Sequence, residues 1–92
     1  MSRVEFEWDP AKSEATFRLR GFDFAYASRI FMGERIVTID ARRDYGEVRM
    51  KATGQVDLDI LTVIYTMRGS AVRIISARRT NRKELAQWLS RA

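Results

Sequence analysis

Polar and apolar residues alternate over 3–8, which sets Val4, Phe6 and Trp8 on one face of a strand. Asp9-Pro10 ends that strand and starts a helix, with Asp9 as N-cap and Pro10 at the first helical position. Ala11, Ala15 and Leu19 then form a stripe at i, i+4 and i+8, and Gly21 suits the C-terminal cap. Asp23 caps a second helix whose inward residues are Phe24, Ala27, Ile30 and Phe31, ended by Gly33. From there the period shortens to two. Residues 35–40, 47–53, 60–67 and 71–77 read as strands, joined by a polar turn over 41–46, a hairpin signal over 54–57 and the tight turn Arg68-Gly69-Ser70. Thr80 or Asn81 caps a last helix through Ser90, with Asn81 and Glu84 spaced as a capping box and Leu85, Trp88 and Leu89 facing inward. The order β-α-α-β-β-β-β-α predicts an α+β fold, a consecutive antiparallel meander with helices packed on one side.

Ninety-two residues with 46% hydrophobic content fit one domain, 1–92, with one core. Cysteine and histidine are both absent, which removes disulfides, the usual zinc sites and any His-centred triad. The pairs Asp57…Asp59 and Asp40…Asp44 lack a calcium-type glycine loop and read as turn residues, so no metal is expected. No Walker or GxGxxG loop occurs, so no nucleotide cofactor is expected either. The first residues carry acids where a signal peptide needs an apolar run, and no stretch has the roughly 20 apolar residues of a membrane span. The expectation is a soluble, cytoplasmic protein without a membrane partner.

Charge sharpens this picture. Residues 1–20 carry four bases and four acids, and 21–67 carry six bases and seven acids. Residues 68–92 carry seven bases against the single acid Glu84, so a local +6 sits beside a nearly neutral body. Such a field suits a polyphosphate partner, although a merely solvated basic face has the same composition. Along the third predicted strand Arg49 and Lys51 share a face, with Val48 and Met50 on the other. Joined by Arg73 or Arg78 they form a basic platform, to which Arg79 and Arg82 of the same segment add charge. Tyr45, Tyr65 and Trp88 are placed to stack on unpaired bases, against the plainer role of core packing. Cutting RNA through its 2′-hydroxyl needs a base, a cation for the phosphorane and an acid for the leaving oxygen. Without histidine the base falls to Glu47, a tyrosine or a lysine, while arginine supplies a bidentate phosphate contact. Spacing alone does not bring these groups together.

Several motifs in order resemble the BrnT toxins. They are Phe6-Glu7-Trp8-Asp9-Pro10-Ala11-Lys12 followed by Phe24…Ala27…Phe31, then Tyr45-Gly46-Glu47-Val48-Arg49. Val63-Ile64-Tyr65-Thr66-Met67-Arg68-Gly69 comes next, then Arg73-Ile74-Ile75-Ser76-Ala77-Arg78 and Glu84. The resemblance covers nearly the whole chain. It implies a RelE-like, metal-independent ribonuclease toxin of a type II toxin–antitoxin pair that blocks translation. It further implies a BrnA-like ribbon-helix-helix antitoxin in a hetero-oligomer, with operator DNA reached only through that antitoxin. By position it marks Lys12, Glu47, Arg49, Arg68, Arg73 and Arg78. Arg49, Arg68 and Arg78 then contact phosphate and transition state, with Glu47 as the candidate base.

The sequence departs from that pattern at three points. Leu19-Arg20-Gly21 stands where the family commonly has Lys-His-Gly, and Thr16 replaces a common Asn. Glu84-Leu85-Ala86-Gln87-Trp88 is less basic than the Arg-rich stretch usual near the C-terminus, and carries Trp in place of Tyr. If the missing His does chemistry in relatives, the alternative is a weakened toxin-like protein that binds RNA or antitoxin. If it only caps the helix, Arg20 can bind the terminal carbonyls instead. A free-standing transcription factor is disfavoured, because the two adjacent helices carry balanced charge and no basic recognition face.

Overall fold

The computed structural model describes residues 4–41 and 46–91, and its elements follow the expected order. Strand β1 (Glu5–Trp8) leads into helix α1 (Pro10–Arg20) and the short helix α2 (Phe24–Ala27), which continues as a 3-10 helix (Ser28–Met32). Strands β2 (Arg35–Ile39), β3 (Met50–Val56), β4 (Asp59–Arg68) and β5 (Ala71–Arg79) follow, and then helix α3 (Arg82–Ser90). The architecture is α+β. β2 to β5 form the antiparallel meander, while β1 adds to its far edge in parallel with β5, giving the order β1-β5-β4-β3-β2.

Local chemistry sets the helix ends. Asp9 accepts from the Ala11 amide at 2.9 Å, Asp23 accepts from the Tyr26 amide at 2.9 Å, and Gly21 takes a left-handed φ of 84° beyond α1. The inner face of α1 differs from the expected stripe. Ala11, Ala15 and Leu19 are exposed, and Ser13 is the buried residue, its hydroxyl accepting from the Phe24 amide at 3.0 Å. A polar anchor at the start of α2, rather than an apolar stripe, seats this helix. Phe24, Ala27 and Ile30 are buried as expected, and Phe31 packs against them.

Gly54 lies inside β3 and not in a turn. A Cβ there would stand 2.8 Å from Ile30 Cβ, so glycine lets the 3-10 helix rest on the sheet. The β3–β4 turn falls at Asp57-Leu58, where Asp57 adopts φ 53°. β5 carries a bulge: Ile64 faces Ser76 but Tyr65 faces Ile74, which leaves Ile75 as the extra residue. That bulge has a consequence for function. Arg73 and Arg78 are five apart and would alternate to opposite faces; the extra residue returns both to the same one.

One sheet face carries α1, α2 and the 3-10 helix over a core of Phe24, Ile30, Leu61, Val63, Tyr65 and Ile74. The expectation that all helices share this side is corrected. α3 lies on the opposite face, where its Glu84 reaches Lys51, Thr62 and Arg78, which alternate with the core residues. Its expected inner stripe is corrected as well. Glu84 and Trp88 are buried, Leu85 is half-buried, and Leu89 is 69% exposed.

Candidate nucleic-acid interface

The sheet face that carries α3 also gathers the basic side chains. Register places Lys51 opposite Ile64 and Ile64 opposite Ser76, Thr62 opposite Arg78, and Thr66 opposite Arg73. Glu7 of β1 lies next to Arg73 and pairs with it at 3.5 Å. Arg49, just before β3, bonds Glu47 through Nε at 3.3 Å. Arg68 stands exposed at the tip of β4, two residues beyond Thr66 and so on the same side. Arg49, Lys51, Arg68, Arg73 and Arg78 thus share one face, with Glu47 at its margin.

Glu84 is the hub of this face, although its side chain is only 4% exposed. Arg78 grips it with a two-pronged fork, Nη1 to Oε1 at 2.7 Å and Nη2 to Oε2 at 2.8 Å. Lys51 Nζ lies 3.1 Å from Oε2, while the Thr62 hydroxyl and the Asn81 amide donate to Oε1 at 3.0 and 2.9 Å. Asn81 in turn accepts from the Glu84 amide at 2.8 Å, completing the capping box. The Arg78 fork above all, then the Asn81 amide and Lys51, hold the Glu84 carboxyl far below the usual carboxylate range, against the opposing effect of burial. A carboxylate so saturated is a poor proton acceptor and a strong positioning group. Beside it opens a cavity of about 420 Å³ lined by Ile39, Asp40, Ala41, Lys51, Arg78, Asn81 and Glu84.

Other candidates from the sequence lie elsewhere. Tyr65 is a core residue on the opposite face, packed edge-on to Phe31 with centroids 5.1 Å apart, its phenol pushed up by burial. It is not a stacking platform on the basic face. Trp88 is buried beneath the Arg91 guanidinium, 3.5 Å above its ring, and does not stack on bases either. Arg79 alternates away from Arg78: it donates to the Arg20 carbonyl at 3.1 Å and lies 5.2 Å from the Phe22 ring. The C-terminal carbonyl of α1 is therefore capped by Arg79, and the substitute role expected of Arg20 falls to it. Lys12 is exposed on α1, behind the sheet, and Arg82 is exposed in the first turn of α3. Tyr45 lies outside the described residues.

Sequence reasoning took Glu84 as a helix cap and missed its hold on Arg78 and Lys51. The available signal was its isolation, one acid among seven bases. Among the described residues no group of three or more His, Cys, Asp or Glu stands placed to hold a metal ion, and no helix is long and apolar enough to cross a membrane.

The five-stranded α+β sheet thus carries α1, α2 and the 3-10 helix on one face and, beside α3 on the other, a surface rich in arginine. Residues 8–84 match the family described as the ribonuclease toxin, BrnT, of type II toxin–antitoxin systems, and the chain belongs to that family. No curated protein matches it.

Proposed function

We propose that this chain is an active, metal-independent endoribonuclease toxin that inhibits translation and is neutralised by a BrnA-type antitoxin. The observation that carries the reading is the convergence of Arg49, Lys51, Arg68, Arg73 and Arg78 on one face, where the buried Glu84 orders Arg78 and Lys51. In this reading Glu47 takes the proton of a 2′-hydroxyl, and the 2′-oxygen attacks the adjacent phosphorus. The P–O5′ bond breaks, leaving a 2′,3′-cyclic phosphate, and the 5′-oxygen takes a proton from water. Arg49 and Arg78 stabilise the charge that grows on the non-bridging oxygens, while Arg68 and Arg73 hold flanking phosphates. Glu84 touches no substrate; it positions Arg78 and Lys51. Arginines here supply the positive charge a metal supplies elsewhere, and no step calls on histidine.

The test is cleavage of a labelled single-stranded RNA in EDTA by wild type, Arg78→Ala and Arg78→Lys, with folding followed by circular dichroism. Cutting by wild type that collapses in both folded variants supports the reading, because lysine keeps the charge but not the fork. RNA that is bound and left intact, on and off the ribosome, overturns it in favour of a binding protein.

A further inference from the structure

The helical layer leaves part of its own sheet face bare. Between the end of the 3-10 helix and the β4–β5 hairpin runs a groove of about 390 Å³, lined chiefly by Val4, Phe31, Tyr65, Met67 and Val72 with Arg35 at its side. Val4 is 57% and Met67 51% exposed. The apolar surface continues to the sheet edge, where Ile39, 65% exposed, pairs with Met50, which pairs with Tyr65; at that edge Ile39 also borders the cavity beside Glu84. A continuous apolar surface ending on an edge strand is a docking feature rather than scattered exposure.

Arg35 gives the occupant its chemistry. Its guanidinium lies 5.2 Å from the Phe31 ring centroid, and Nη1 donates to the Phe31 and Gly33 carbonyls at 3.2 and 3.1 Å. Nε and Nη2 enter no hydrogen bond among the described residues, and the Arg35 side chain, so held, lines the groove. A second copy of this chain is a poor match. A two-fold contact brings Arg35 and its symmetry mate into one interface, while the groove lining holds no acid and neighbouring Glu34 is bonded to Arg91. A partner with apolar anchors and a carboxylate matches, and a type II toxin has a protein partner, its antitoxin.

We infer that this groove seats the antitoxin: an amphipathic, acid-bearing segment places apolar side chains between Phe31 and Met67 and a carboxylate on Arg35. The inference rests on the toxin reading. It also separates two functions in space, since the groove and the Glu84–Arg78 centre occupy opposite faces of the sheet. The antitoxin's grip is then removable without touching the RNA site.

The probe is the purified product of the reading frame adjacent to this chain's gene, titrated calorimetrically against wild type, Met67→Glu and Arg35→Glu. RNA cleavage, circular dichroism and sedimentation of the free chain are measured alongside. The expected result is an affinity loss of at least tenfold in each folded variant, with cleavage unchanged. Unchanged affinity overturns the inference. So does a free dimer that Met67→Glu dissociates while antitoxin affinity holds, which assigns the groove to a second copy. If Met67→Glu does not fold, Arg35→Glu, at an exposed position, decides alone. Lost affinity in variants of a wild type that cuts no RNA keeps the docking site and discards the nuclease reading.

Discussion

The two faces of the sheet are held by different physics. Under the helices Phe24, Ile30, Leu61 and Val63 are at most 1% exposed, and their contribution is non-directional burial. On the other face Thr53 and Thr62 share a hydroxyl contact at 3.2 Å, and Thr62 passes on to the Glu84 carboxylate with its two cations. That side is held by directional, charge-assisted bonds, each of which leaves a buried polar group behind when broken. Substitutions should therefore sort by face: stability from the helical side, chemistry from the ionic side, with Glu84 coupling to both.

The largest effect expected is on rate. Arg78→Lys should lower cleavage by about a hundredfold or more, the order typical of losing one transition-state donor, while circular dichroism stays native. Single-turnover kinetics reads this directly. Phe24→Ala tests the opposite face. Removing a side chain only 1% exposed should cost about 3–5 kcal/mol in denaturant unfolding, while the folded fraction cuts RNA at the wild-type rate. A folded Phe24→Ala protein with altered rate would break the division between faces.

Glu84→Gln probes the coupling. The ordinary value of a glutamate in the unfolded chain is about 4.3, and the folded Glu84 lies far below it. The unfolded state thus binds the proton more readily. This carboxylate's stabilisation is complete above about pH 5 and is lost as pH falls through and below the ordinary carboxylate range. Glu84→Gln should therefore flatten the fall of unfolding free energy between about pH 5 and 2, a signature that a merely neutral packing residue would not give. Its cleavage rate should fall as well, because Arg78 loses its orientation. An unchanged acid limb would remove Glu84 as the ionic hub.

What the sequence disclosed follows the range of the interaction concerned. Asp9, Gly21, Asp23 and the Asn81–Glu84 box were legible because each acts within four residues. The meander was legible from period-two strands joined by short turns. The parallel β1–β5 pairing was not, since nothing local encodes a partner more than sixty residues away. The Ile75 bulge hid the site in the same way, for without it Arg73 and Arg78 part company and Arg79 takes a place beside Arg73. Counting charges grouped Arg78 with Arg79, but alternation sends one to Glu84 and the other to the end of α1. For Gly54 a turn was the simplest local account, and the contact with Ile30 is tertiary.

The smallest predicted effect sharpens the comparison most, because it counts contacts on the ionic face without breaking it. Arg73 is not part of the Glu84 hub; it forms an ion pair with Glu7 at 3.5 Å, and its side chain is 30% exposed. Arg73→Ala should therefore leave folding intact and cost only its phosphate contact. For single-stranded RNA each neutralised phosphate adds about 0.7 to the slope of log affinity against log salt, so the magnitude of that slope should drop by about 0.7. The effect should be equal across RNA sequences, since a phosphate contact carries no base preference. Arg79→Ala, on the helical side, should leave the slope unchanged while loosening the end of α1. If both variants shift the slope alike, RNA wraps the sheet edge and the basic face is not the boundary of the site.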